Sequence, residues 1–287
     1  MDNAILQFFE TIRCPALNWF FAAFTALGEE FIIAAVIAVI YICFSKRIGE
    51  QALITVMTAS CVTTGLKSAV RRIRPYAAGV VERVNIDTLL VSTTDLDFDM
   101  SFPSGHATAT GAFFTTLAVR LKKPLAIALS ALFVLLVMLS RLYLGVHYPS
   151  DVLTGLAIGV VCSVAWDWIY RKFYSARLYI YLGIAILTLP LLFIPQTATH
   201  SMFQISAITL ATAVGLLIEN FCIRFEDTHR RLHRLFRLAV CACVAAVPFL
   251  LCQFLLPDGN WFSFLKYFLT LSVTLTLAPL CFRFLKI

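Results

Sequence analysis

An all-α bundle of membrane-spanning helices is the fold class this sequence predicts, and three observations predict it. Of 287 residues 60% are hydrophobic and only 14% charged, giving a mean hydropathy of +0.87, too apolar for a soluble domain of this length. The apolar residues fall in runs of about 14 to 24, long enough to span or nearly span a bilayer. Short polar stretches separate these runs, and none is long enough to fold as a second soluble domain.

In chain order, Pro15 first divides two amphipathic pieces that end at Gly28-Glu29-Glu30, read as interfacial helices rather than a full span. Nine apolar runs follow, at 30–44, 51–70, 104–119, 124–142, 148–170, 178–194, 202–223, 235–256 and 261–282. Asp2, Glu10 and Arg13 stand where a cleavable leader would need a basic start and an apolar core, so the membrane helices themselves are expected to direct insertion. Eight of the nine cysteines (43, 61, 162, 222, 241, 243, 252 and 281) lie in or beside apolar runs, where cysteine behaves as a small hydrophobe. Disulfides are not expected. The pair Cys241 and Cys243 has no further ligands at zinc-like spacing, so neither a metal nor another cofactor is expected.

If the nine runs alternate across the bilayer, three polar clusters fall on one side. These are Lys67 with Arg74-Pro75, then Pro103-Ser104-Gly105-His106, then Ser140-Arg141 with His147 and Asp151. Fifteen basic residues fall on the opposite side and eight on the cluster side. Positive charge marks the cytoplasmic face, so the clusters are expected to face a periplasm, a lumen or the exterior. The net charge of +7 is therefore read as topology, and no nucleic-acid partner is expected.

The clusters hold what phosphoryl transfer needs. Lys67 and Arg74 lie seven residues apart around a helix end. They reach a common point if the chain leaves the helix before Pro75, with Arg141 closing the other side. A guanidinium fork suits two phosphate oxygens, an ammonium adds a point charge, and both stabilise an equatorially charged transition state. Ser104, Gly105 and His106 open a helix, whose unpaired amides point at anions. Gly105 permits close backbone approach and Ser104 offers a donor. Asp151, in the first turn of a helix begun by Tyr148-Pro149, is placed to accept a hydrogen bond from His147 and so fix its tautomer. His147 is then the nucleophile that forms a phosphohistidine. His106 is the general acid for the leaving oxygen and later the base for water.

These three clusters, at these spacings, resemble the signature of the type 2 phosphatidic acid phosphatase (PAP2) superfamily. That superfamily includes lipid phosphate phosphatases, undecaprenyl pyrophosphate phosphatases, glucose-6-phosphatases and vanadium haloperoxidases. The resemblance implies a helical fold and metal-independent hydrolysis through phosphohistidine. It also implies matching roles for Lys67, Arg74, Ser104, Gly105, His106, Arg141, His147 and Asp151. It divides the chain into N-terminal helices (1–28), a catalytic transmembrane core (29–175) and C-terminal transmembrane helices (176–287) on which it is silent.

Several readings stay open. The expected substrate is a lipid phosphate or pyrophosphate that arrives laterally from the membrane. Transfer of the phosphoryl group between lipids, or hydrolysis of a sugar phosphate, would use the same residues. A transporter or scaffold for anionic lipids would use the cations but leave His106 and His147 without a task. The long connection 75–103, with Glu82, Asp87, Asp95, Asp97 and Asp99, is either a substrate lid or an acidic solvated loop. Arg71 and Arg72 are either part of the site entrance or solvated flank. His200, His229, His233 and Asp167 are read as structural, and Glu219-Asn220 as a helix cap or a partner of Arg224. The run from Arg224 to Arg237 is read as a cytoplasmic loop facing anionic lipid.

Overall fold

The computed structural model describes residues 2–85 and 100–287, and each of the nine apolar runs is helical over nearly all of its length. Eleven α-helices are formed among the described residues: α1 (Asp2–Thr11), α2 (Pro15–Leu27), α3 (Glu30–Val39), α4 (Lys46–Val70), α5 (Gly105–Leu121), α6 (Pro124–Tyr143), α7 (Pro149–Lys172), α8 (Arg177–Thr188), α9 (His200–Ile218), α10 (Arg231–Leu255) and α11 (Asn260–Leu285). Helices α3 and α9 each run on through a π turn, at Ile40–Phe44 and Glu219–Ile223. Among the described residues, seven helical stretches are long and apolar enough to cross a membrane.

The two pieces around Pro15 are separate helices, with Pro15 in the first turn of α2 where its missing N–H costs nothing. They differ from the interfacial reading in one respect. Helices α2 and α3 form a pair bent by 53° that together can make an eighth, broken span. Helix α5 has 17 residues, about 25 Å of rise, which is a turn or so short of the hydrocarbon thickness. Residues 86–99, with Asp87, Asp95, Asp97 and Asp99, lie outside the described residues, and the lid reading of 75–103 falls partly there.

The chain folds into two compact units, residues 2–35 with 62–167 and residues 36–61 with 168–287. In the first unit α5 is buried along Ala107, Thr108, Ala109, Thr110, Gly111, Ala112, Phe113 and Thr116. Its threonines return their hydroxyls to carbonyls a turn earlier, as from Thr108 to Ser104 at 2.9 Å and Thr116 to Ala112 at 2.8 Å. Polar side chains are thereby satisfied without water. Helix α7 lies directly on this surface because Gly155 and Gly159 present only backbone. A Cβ on Gly155 would sit 2.6 Å from the Ser104 carbonyl oxygen, and one on Gly159 2.6 Å from that of Thr108. Small residues one turn apart are the usual means by which membrane helices approach so closely. Ser163, one turn further, donates to the Ala112 carbonyl at 2.8 Å. Helix α2 packs on the end of α6, where Phe21 and Tyr143 lie with ring centroids 4.4 Å apart and the Tyr143 hydroxyl donates to Asn18 at 2.7 Å.

In the second unit Gly215 brings α9 against α11, since a Cβ there would lie 2.6 Å from that of Leu275. Glu50 and Arg177, both buried, pair at 2.5 Å, and the Tyr170 hydroxyl donates to the same carboxylate. Buried Glu219 pairs with Lys46 at 2.5 Å and accepts from the Phe225 amide, not from the Arg224 side chain. Arg224, whose backbone is left-handed, donates to the Asn220 carbonyl at 3.3 Å. Asp167, in the first unit, stands 3.8 Å from Arg120, an ion pair in keeping with a structural role.

The Gly159 contact predicts that Gly159→Leu separates α5 from α7 and lowers the thermal midpoint of the detergent-solubilised protein, by an overpacking cost of about 1–3 kcal/mol or more. Gly183→Leu, where an added Cβ meets nothing within 4 Å, should leave the midpoint unchanged. Thermal unfolding of the two variants side by side makes the comparison.

Candidate active site

Four helix ends and one helix break meet in the first unit. Helix α4 stops because Arg71 takes a left-handed backbone (φ 51°), which turns the chain out of the helix four residues after Lys67. The exiting strand of chain delivers Arg74, which is buried and donates to the Val146 carbonyl at 3.0 Å. Ser104 caps α5, its side chain accepting from the Ala107 amide at 3.5 Å, and its own amide donates to the Asp151 carbonyl at 3.1 Å. The openings of α5 and α7 are thereby tied together. Arg141 comes from the last turn of α6 and is 2% exposed, with one guanidinium nitrogen donating to the Thr25 hydroxyl at 2.5 Å. The nearest atom to an added Cβ on Gly105 is Glu30 Oε1 at 3.5 Å, so the backbone there stays approachable.

His147 sits in the turn between α6 and α7, buried. Its Nδ1 lies 2.8 Å from the Ser101 carbonyl oxygen, and its Nε2 lies 3.3 Å from an Arg74 guanidinium nitrogen. A carbonyl can only accept and a guanidinium can only donate. Nδ1 therefore carries the proton, and Nε2 presents its lone pair towards the cations. Burial, followed by the charges of Arg74, Arg141 and Lys67, holds the imidazole well below its ordinary pKa range. The neutral ring that nucleophilic attack requires is thus the form at neutral pH.

Asp151 departs from the expected geometry. Its carboxylate stands 3.7 Å from His147 Nδ1, beyond hydrogen-bond range, and the Ser101 carbonyl takes the bond in its place. The reason is that the carboxylate is already filled. It accepts from the Ser101 hydroxyl at 2.5 Å, the Tyr148 amide at 2.9 Å and Arg72 at 2.8 Å. Asp151 thus holds the Ser101–His147 pair from behind instead of touching the ring by a direct bond. Arg72, which the sequence left between two readings, belongs to this support. It stacks on the Tyr148 ring at 3.8 Å, bonds Ser150 at 2.7 Å and reaches Asp2 of α1 at 3.4 Å, and Ser150 donates to the same Asp2 carboxylate.

His106 occupies the first turn of α5, and its Nε2 lies 3.1 Å from Glu29 Oε1 at the α2–α3 break. The charges of Arg141 and Lys67 act on both imidazoles, and that of Arg74 on His147. Ser101 and Glu29 are the two participants that sequence reasoning missed. Ser101 acts partly through its backbone carbonyl, which leaves no trace in residue identity. Glu29 did leave a signal, since two adjacent carboxylates interrupt an apolar stretch, and it was read only as a helix stop.

Residues 51–175 match the PAP2 superfamily, and residues 203–287 match the family described as PAP2 superfamily phosphatase, transmembrane extension. The chain is 36% identical over 109 residues to the decaprenylphosphoryl-5-phosphoribose phosphatase of Mycobacterium tuberculosis, a match covering 38% of this chain and 54% of that protein. It therefore spans about half the length of that relative. It is 30% identical over 148 residues to the undecaprenyl-diphosphatase of Sulfolobus acidocaldarius, covering 51% of this chain and 68% of that one. A crystal structure of Aquifex aeolicus LpxE shares 27% identity at a TM-score of 0.48, over 57% of this chain and 92% of that chain. With the first matched region containing every cation and imidazole of the site from Lys67 to Asp151, and the second reaching Ile287, the chain belongs to the PAP2 superfamily.

Proposed function

We propose that this chain is an integral membrane phosphatase that hydrolyses a lipid phosphate or pyrophosphate through a phosphohistidine on His147. The observation that carries the reading is the His147 tautomer, a neutral imidazole whose Nε2 lone pair faces the cations able to hold a phosphoryl group. The relatives bear on the substrate class, since those named above act on polyprenyl-linked phosphates or diphosphates by their names.

The two steps follow from the atoms present. The phosphoryl oxygens enter among Lys67, Arg74 and Arg141, with the Ser104 hydroxyl and the amides opening α5 as further donors. Arg74 passes from His147 Nε2 to a phosphate oxygen, which frees the lone pair. Nε2 attacks phosphorus, the bond from phosphorus to the leaving oxygen breaks, and His106 transfers a proton to that oxygen. As the ring becomes cationic, the Ser101 carbonyl and the Asp151 carboxylate behind it stabilise the charge on the Nδ1 side. A water then attacks phosphorus while His106 takes its proton, the bond from phosphorus to nitrogen breaks, and phosphate leaves with His147 restored. The cations supply the charge stabilisation throughout, so the chemistry is assigned to the chain's own residues without a metal.

We further assign the catalytic core to 29–175 and the site to the non-cytoplasmic side, from the excess of basic residues in the loops opposite the motifs.

His147→Ala should reduce phosphate release from lipid phosphates by a factor on the order of 10³ or more, with the protein still folded in detergent. Phosphate assays across a panel of lipid phosphates and pyrophosphates check this, and retained turnover rejects the nucleophile. Because the charge of Arg74 helps keep His147 neutral, Arg74→Gln should let its pKa rise. The acidic limb of kcat/KM should then move to higher pH, in addition to any loss of binding. An acidic limb at the wild-type position would contradict this electrostatic role.

A further inference from the structure

We infer that Glu29, in the N-terminal segment ahead of the family-matched region, is the positioning residue that orients His106 for proton transfer to the leaving oxygen; the inference rests on the phosphatase reading above. Three observations place that segment at the site. Glu29 Oε1 lies 3.1 Å from His106 Nε2. One turn earlier Thr25, fully buried, receives the Arg141 guanidinium at 2.5 Å. Between them Gly28 leaves room for the ring, since a Cβ there would stand 3.2 Å from His106 Cδ2 and 2.7 Å from Val137 Cγ1. Glu29 stands at the 53° bend between α2 and α3.

The chemistry gives this carboxylate a task. A general acid must hold a proton before the leaving oxygen departs, yet burial and then the charges of Arg141 and Lys67 disfavour the His106 imidazolium. The groups acting on it are Arg141 from α6, Lys67 from α4, His147 ahead of α7, and Glu29 from the helix break. Glu29 is the carboxylate in hydrogen-bond contact with the ring. It favours the protonated form and anchors Nε2–H, leaving Nδ1 as the nitrogen that exchanges its proton with the substrate. Proton count is unchanged by Glu29 itself, which stays ionised while His106 gives up and regains one proton per turnover.

A general acid matters in proportion to how poor the leaving group is, which separates this role from mere packing. The test compares full-length wild type and Glu29→Gln on an alkyl phosphate and on 4-nitrophenyl phosphate, whose anion departs without help. The expected result is a kcat loss on the order of 10-fold or more for the alkyl ester and within about 3-fold for the aryl ester. The alkaline limb for the alkyl ester should also move to lower pH, since a weaker hold on the proton empties His106 earlier. Equal losses on both esters with an unmoved pH profile, or no loss on either, overturn the inference. If Glu29→Gln does not fold, Glu29→Asp, which keeps the charge but withdraws it by one methylene, carries the same comparison. Absence of phosphate release by the wild type from any substrate would instead sink the phosphatase reading. In that case a ¹⁵N NMR titration of His106 still decides on Glu29: a lower His106 pKa in Glu29→Gln supports the pairing, and an unchanged one overturns it.

Discussion

Cations gathered around a neutral imidazole in a setting of low dielectric constant are the constraint from which the first unit's design follows. Like charges repel strongly there, and each desolvated guanidinium needs hydrogen-bond partners. Among the bonds that position them, Arg74 donates to the Val146 carbonyl and Arg141 to the Thr25 hydroxyl. Such neutral acceptors satisfy guanidinium hydrogens without adding a further charge. The carboxylates Asp151 and Glu29 are set beside the imidazoles, where they orient rings and balance charge as protons move.

Helix termini make this arrangement possible. A polar cluster in the middle of a membrane helix would have to break its own backbone bonding to reach a ligand, whereas a terminus offers amides and side chains already turned outward. Ser104 and Asp151 show the economy of the device. The Ser104 amide bonds the Asp151 carbonyl, and the Asp151 carboxylate accepts from the Tyr148 amide and the Ser101 hydroxyl, so two helix starts brace each other. The close backbone contact of α5 with α7 at Gly155 and Gly159 keeps those starts in register. Packing far along the helices therefore bears on the position of His147.

Much of the site was legible because its chemistry resides in side chains whose types and spacings are unusual in a membrane. Lys67, Arg74, His106, Arg141, His147 and Asp151 each stand out against an apolar background. Legibility failed where identity carries no information. The Ser101 carbonyl could belong to any residue, and nothing in the spacing of His147 and Asp151 tells 3.7 Å from a hydrogen bond. Arg72 looked like ordinary flank because its partners, Asp2 and Asp151, are 70 and 79 residues away in the chain.

By itself, then, the sequence determined the class of fold and the residue types on which the proposed chemistry rests. Hydropathy dictates helices in a bilayer, since closing backbone hydrogen bonds within each segment is what a chain with long apolar runs can do there, and the clusters set cations and imidazoles apart from the apolar background. Tertiary structure decided which atoms meet. Only the folding of chain segments far apart in sequence sets the Ser101 carbonyl on Nδ1, Arg74 on Nε2 and Glu29 on His106, because a hydrogen bond is made or lost within a few tenths of an ångström, a scale that no pattern of residue types specifies.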